Sequence, residues 1–237
     1  KLIDETASIS TKTGLEIDVV RVAVRDTARE RPVTLPAGVL TDDPMEVVGD
    51  PDVQLVVEIM GGEDPAGDLV AAALRARKPV VTANKALIAA RGKELIGIAE
   101  EAGVPLLFEA AVAGGIPIIR PLSETLAGEQ IDRVLGIVNG TTNYILTKMT
   151  EEGAEYKVAL AEAQELGFAE ADPAADVSGA DAAAKAAILA SLAFGTWVAS
   201  DRVYVEGLDR VDETDFRIAT ELGFVSKLLA VAENNAE

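Results

Sequence analysis

Four short runs of branched aliphatic residues alternate with helix-like stretches near the start of the chain, and no other feature restricts the fold as much. The runs are "DVVRVAVRD" (18–26), "VQLVVEIM" (53–60), "KPVVTA" (78–83) and "VPLLFEA" (104–110). Nearly continuous Val, Leu and Ile mark strands buried on both faces, as in a parallel sheet. Between the last three lie "PAGDLVAAALRAR" and "ALIAARGKELIGIAEEAG", both with helical periodicity, the second closed by Gly103. Strand–helix–strand units repeating at roughly 25 residues predict an α/β, Rossmann-like domain.

Such a domain normally opens with a strand and a G-x-G-x-x-G turn, whose glycines let the backbone approach a pyrophosphate. No such motif is present here. The chain begins at Lys1 with "KLIDETASIS", which reads as the tail of a first helix, so the domain is expected to lack its first βα unit.

After "AVAGGIP" the texture changes to α+β. A helix is expected over 117–127, then a strand "IDRVLGIV" (131–138) and the turn "NGTTN", with Thr141 or Thr142 as cap of a helix reaching Met149. An Ala/Glu helix ends at Gly167, and a long apolar helix follows over about 180–199. "VYVEG" is expected to be a strand, and "TDFRIATELGFVSKLLAVAEN" an amphipathic helix capped by Thr214 or Asp215. The expected domains are 1–110 with 209–237 for nucleotide binding, and 111–208 for substrate binding, catalysis and dimerisation.

Composition removes several chemistries. The chain has neither cysteine nor histidine, so disulfides, thiolate nucleophiles, Ser-His-Asp catalysis and Cys- or His-ligated metals are excluded. Acid–base work falls to lysine, carboxylates, tyrosine or water. A net charge of -19 argues against nucleic acid and anionic membranes as partners. No apolar run of about 18 residues occurs, so a cytoplasmic protein is expected.

Charges concentrate in "GFAEADPAADVSGADAAAKAAI" (167–188). Asp181 and Lys185 stand four residues apart on one face of a helix that is otherwise almost wholly apolar. They read either as a structural buried pair or as a pair facing a polar cavity, since burying two charges without one costs several kcal/mol (roughly 3–5). Glu170, Asp172 and Asp176 precede them in a segment broken by Pro173. Asp176 and Ser178 suit a helix cap, while carboxylates converging on a lysine suit an ammonium ligand. Lys85 follows a buried strand at its carboxyl end, where open α/β sheets bind ligands, and is otherwise a solvated loop lysine. "EAAVAGGIP" is either a flexible glycine connection or a set of bare carbonyls around Glu109. "NGTTN" is explained by turn and cap, with backbone amides able to meet a carboxylate.

Taken in order, "VVTANK", "FEAAVAGGIPIIRPL", "GIVNGTTNYIL" and "LGFAEADPAADVSGADAAAKAAIL" resemble the homoserine dehydrogenase family over nearly the whole chain. The resemblance implies NAD(P)-dependent interconversion of L-aspartate 4-semialdehyde and L-homoserine, on the route to threonine, methionine and isoleucine. It makes Lys185 the proton donor, Asp181 its partner and Lys85 a second active-site lysine, close to the cofactor as well. Glu170 and Asp176 match carboxylates that bind the substrate amino group, and Gly140 and Thr141 match positions near nicotinamide and substrate. Glu109 with the backbone oxygens of Val112, Gly114 and Ile116 matches a structural sodium site. Homodimers, or dimers of dimers, are implied through the sheet to which "IDRVLGIV" contributes.

Arg25, at the end of the first strand, favours a 2′-phosphate and hence NADP over NAD, whereas the adjacent Asp26 would favour the free diol. Gly195 stands where the family suggests histidine. No regulatory extension is recognised, so a short form without threonine feedback is expected. Two competing readings remain: an NAD(P) oxidoreductase of another small amino aldehyde, and a non-catalytic oligomerisation module.

Overall fold

The computed structural model describes residues 2–235, the side chain of Glu213 excepted. The chain divides into two units, residues 1–82 with 94–107 and residues 83–93 with 108–237.

In the first unit α1 (Thr6–Thr13) buries none of its residues and ends at Gly14 in the left-handed region. β1 (Val22–Ala23) pairs in parallel with β2 (Leu40–Thr41), a strand the sequence reading did not anticipate. The expected nine-residue run therefore forms a two-residue ladder, because its described partner is itself that short. Asp43 caps α2 (Pro44–Gly49) by accepting from the Met45 amide at 2.8 Å. β3 (Val56–Glu58), β4 (Val80–Thr82) and β5 (Leu106–Leu107) then form the expected parallel sheet in sequential order. The crossovers are α3 (Ala66–Arg75) and α4 (Lys85–Ala102). Val70, Ala71, Ala73 and Leu74 of α3, with Val80, Leu95 and Ala99, supply buried apolar side chains.

At the carboxyl end of β3, Glu58 is buried and accepts from the Met60 amide at 2.6 Å and from Thr82 Oγ1 at 2.5 Å. Gly61 and Gly62 follow with φ of 77° and 74°, a conformation that glycine adopts without steric cost.

The second unit is built on α5 (Gly140–Glu152), α6 (Tyr156–Glu165), α7 (Ala174–Val177), α8 (Ala180–Phe194) and α9 (Glu213–Glu221). β6 (Arg133–Gly136) and β7 (Ala230–Glu233) pair antiparallel, Leu135 opposite Val231. Of residues 209–237, which the sequence placed with the nucleotide-binding half, the described ones (209–235) fall in this unit. Leu208 and Phe216 join Ile145, Leu146, Ala159, Ala163 and Ala169 in one buried cluster, and β7 completes the β6 sheet.

Several local expectations change with tertiary context. The C-terminal segment is not one helix: α9 ends at Glu221, ahead of Gly223 at φ 76°, and Ala230–Glu233 form β7 with burial alternating along the strand. Asp212, not Thr214 or Asp215, caps α9, with Asp215 returning a bond to the Asp212 amide at 3.0 Å. α8 ends at Phe194, because Gly195 turns left-handed at φ 63°. Within the expected 117–127 helix, residues Pro121–Thr125 form a π-helical turn. "VYVEG" is not a strand: its neighbours are the α7–α8 turn, and a Cβ on Gly179 would lie 2.9 Å from Val205 Cγ1. No helix among the described residues is long and apolar enough to cross a membrane.

Candidate active site

The second unit alone assembles most of the charged residues singled out in the sequence. α8 is apolar almost throughout, and its first turn carries Asp181, whose side chain is only 2% exposed. An isolated carboxylate could not be buried there without a large desolvation cost, so its partners define the site. Lys185, one turn on, donates to Asp181 Oδ2 at 2.7 Å and to the Val138 carbonyl at 2.8 Å. Lys85, the first residue of α4, forms an ion pair with Asp181 Oδ1 that is out of hydrogen-bond alignment. Burial alone would push the Asp181 carboxyl up. Lys185, Lys85 and Asn139 together outweigh it and hold the group below the usual aspartate value.

Asn139 is the residue that the sequence reading missed. Its Oδ1 accepts from the Thr142 amide at 2.8 Å, which makes it the cap of α5 in place of Thr141 or Thr142. Its Nδ2 donates to Asp176 Oδ1 at 2.6 Å and to Asp181 Oδ2 at 2.8 Å. The signal was present in "VNGTT", since Asn is at least as good a cap as Thr.

Asp176 sits on α7 and does not cap α8, whose N-cap is Gly179 with no side-chain bond. Its carbonyl accepts from Thr142 Oγ1 at 2.9 Å, which ties α7 to the first turn of α5. Thr141 donates from Oγ1 to the Phe168 carbonyl at 2.5 Å and thereby anchors the loop that leads to Glu170. Glu170 is exposed; its carbonyl accepts from Gln164 Nε2 at 3.1 Å, and its carboxylate takes no part in the Asp181 network. Gly140 is exposed at the start of α5, with open space where a Cβ would stand.

The remaining candidates lie elsewhere. Glu109 accepts from three amides, those of Ile118 and Ile119 at Oε1 (2.7 and 2.9 Å) and that of Arg120 at Oε2 (2.9 Å). Burial pushes its carboxyl up, and the three amides more than reverse this, so it sits below its usual value. Val112 is buried, and Ala113 and Gly114 turn left-handed at φ 61° and 56° before exposed Ile116. Among the described residues no group of three or more acidic side chains converges as a metal site. Arg25 is exposed beyond β1 in the first unit, while Asp26 Oδ1 accepts from the Ala28 amide at 2.9 Å.

The chain is thus a two-unit α/β protein, with one parallel-sheet unit and a second unit that holds a lysine–carboxylate centre. Residues 2–109 match the family model described as "Homoserine dehydrogenase, NAD binding domain", and residues 117–237 match "Homoserine dehydrogenase". The chain belongs to the homoserine dehydrogenase family. It is 53% identical to the homoserine dehydrogenase of Synechocystis sp. over 93% of its own length and 51% of that protein's. The crystal structure of the Thiobacillus denitrificans homoserine dehydrogenase superposes with a TM-score of 0.88 at 45% identity, covering all of this chain and 54% of that one. A hyperthermophilic archaeal homoserine dehydrogenase in complex with NADPH superposes with a TM-score of 0.70 at 28% identity, over 98% and 64% of the two chains. The chain thus spans about half the length of the curated relatives it matches.

Proposed function

We propose that the protein carrying this chain is an NAD(P)-dependent homoserine dehydrogenase, interconverting L-aspartate 4-semialdehyde and L-homoserine. The observation that carries this reading is the state of Lys185. Two acceptors, Asp181 Oδ2 and the Val138 carbonyl, fix its ammonium, and the third proton has no acceptor among the described residues. Reduction of an aldehyde builds negative charge on oxygen, and a fixed ammonium both stabilises that charge and supplies the proton. In the reverse direction Lys185 takes the proton back. Lys85 adds positive charge beside Asp181, and Asp176 and Glu170 receive the substrate amino group.

Bound nicotinamide would supply or accept the hydride. Residues here fit it: Gly140 is bare where a ring could approach, and Arg25 is a free-standing cation. Because Asp26 is turned into its own loop, Arg25 favours the 2′-phosphate of NADP over NAD. A structural sodium ion at Glu109, Val112, Gly114 and Ile116 is part of the same proposal. The donors are hard oxygens, and three amides leave the Glu109 carboxylate capacity for one more contact. A homodimer or dimer of dimers would use the outer face of the β6–β7 sheet, where Leu135, Ile137 and Val231 are exposed. The setting would be cytoplasmic biosynthesis of threonine, methionine and isoleucine.

The test is oxidation of homoserine with NADP or NAD, compared with 4-hydroxybutyrate, which lacks the amino group. Turnover with homoserine and a strong preference over 4-hydroxybutyrate is expected. Equal use of both would point to an oxidoreductase of other alcohols, and no binding of either nucleotide to a non-catalytic module.

A further inference from the structure

Three helices of the second unit meet at one amide. Asn139 caps α5, Asp176 lies on α7 and Asp181 on α8, and Asn139 Nδ2 donates one proton to each carboxylate, at 2.6 and 2.8 Å. The Asn139 oxygen is committed to the Thr142 amide. This settles the orientation of the group: a flipped amide would set its oxygen against two carboxylates and its N–H against another N–H. The carboxylates share a single nitrogen and so lie close together, where their mutual repulsion would otherwise push them apart. Asp176 is gripped twice, since Thr142 Oγ1 also holds its carbonyl. Its Oδ1 is bound, and its Oδ2 has no hydrogen bond to a described residue. On the other side, Asp181 Oδ2 receives both Asn139 and Lys185, and Lys185 is held as well by the carbonyl of Val138, the neighbour of Asn139.

We propose that Asn139 is a positioning residue that sets the ammonium-binding carboxylate Asp176 and the Asp181–Lys185 pair in one frame, so that gripping the substrate amino group also places its reacting oxygen at Lys185. This rests on the reading of the site given above. Asn139 touches neither substrate nor cofactor in this scheme; it acts by fixing which oxygen of Asp176 faces outward and which oxygen of Asp181 holds the lysine. Planar side-chain geometry matters here, because a displacement of about 1 Å at a reacting centre can cost on the order of 100-fold in rate.

Asn139→Ser and Asn139→Asp separate this role from helix capping, since both residues cap about as well as Asn. Serine removes both N–H donors, and aspartate turns them into a third carboxylate between the other two. Asn139→Ser should melt close to the parent protein yet lose about 100-fold in kcat/KM for homoserine. For 4-hydroxybutyrate, which offers nothing to Asp176, the loss should be smaller, about 10-fold. Asn139→Asp should lose more than Asn139→Ser with homoserine. Equal losses on both substrates, or normal kinetics in either variant, would overturn the proposal.

Competitive acetylation of the lysines, read by mass spectrometry, reports on the same frame without turnover. Lys185 should label severalfold faster in Asn139→Ser than in the parent, relative to exposed lysines, and unchanged labelling overturns the proposal. Should the parent protein fail to oxidise homoserine while the labelling responds as expected, the functional reading falls and the positioning role stands.

Discussion

The second unit contains two lysine–carboxylate clusters built in opposite ways: in one a lysine lies between two carboxylates, in the other a carboxylate lies between two lysines. In one, Lys148 of α5 lies 2.9 Å from Glu152 Oε1 and 2.9 Å from Glu162 Oε1, with the Tyr144 hydroxyl donating to Glu162 at 2.8 Å. Glu162 and then Glu152 hold the Lys148 ammonium well above the usual lysine range, and Lys148 in turn holds Glu162 below the usual carboxylate value. Two anions around one cation leave that proton no reason to move. In the other, two lysines share the single buried carboxylate Asp181, and Asn139 links that carboxylate to a second one, Asp176. Sequence spacing does not separate them: Lys148–Glu152 and Asp181–Lys185 are both pairs four residues apart. What differs is which charge is shared and how deeply it is buried, Glu152 and Glu162 being 59% and 38% exposed and Asp181 only 2%.

The largest effect expected from breaking this contrast is on turnover. Lys185→Ala should reduce kcat for homoserine by about 1000-fold, within the usual range for loss of a general acid–base group. Lys148→Ala should leave kcat unchanged, because its charge is consumed by its own neighbours. Near-equal kcat values in the two variants would show that the contrast has no chemical meaning.

Asp181→Asn comes next, with two readouts. Neutralising the shared anion leaves Lys185 and Lys85 as unbalanced neighbours, and kcat should fall by about 100-fold. Removing its charged hydrogen bonds should cost about 2 kcal/mol in stability at neutral pH, read by denaturant unfolding. Because the folded-state pKa of Asp181 is lowered, its contribution is fully present above its unfolded value of about 3.9 and is lost as pH falls through the folded value. The stability gap between parent and variant should therefore be constant near neutrality and close at more acidic pH. A gap that widens on acidification would show that Asp181 is not the stabilising anion.

How much of this was legible without coordinates differs between the same two regions. Asp181 and Lys185 stood out because two charges on an Ala- and Ile-rich helix have no bland place to go, and Lys85 because it follows a buried strand. Asn139 did not, since Asn and Thr both satisfy the local rule for a cap. Only the packing of α7 and α8 against α5 shows which of the three does it and what its second group bonds. The parallel sheet β3–β4–β5 was readable from Val/Leu runs, whereas β7 was not. "LAVAEN" carries helix-forming residues, and only a long-range pairing with β6, almost 100 residues earlier, makes a strand of it. The residues of "EAAVAGGIP" alone left a flexible connection and a set of carbonyls as alternatives, and only the family resemblance made Glu109 a cation ligand; in the fold its oxygens close the amides of residues 118–120, which lie nine to eleven positions away.

The smallest expected effect tests whether the placement of Lys85 depends on a packing contact two turns along its helix. Lys85 opens α4, and two turns later Gly92 lies against the ring of Trp197, the chain's single tryptophan, so closely that an added Cβ would overlap it. Gly92→Ala has opposing consequences: alanine favours the helix by about 1 kcal/mol, whereas forcing the indole aside costs about 1–3 kcal/mol. Net destabilisation of about 1 kcal/mol is expected, seen as a lower denaturation midpoint with an unchanged slope. If the contact sets the position of the first turn of α4, kcat falls as well, while Trp197→Leu with Gly92→Ala restores both by vacating the space. A variant that loses stability but keeps full turnover would show that Lys85 is held by Asp181 alone. The two-lysine arrangement would then owe nothing to the helix that delivers one of its members.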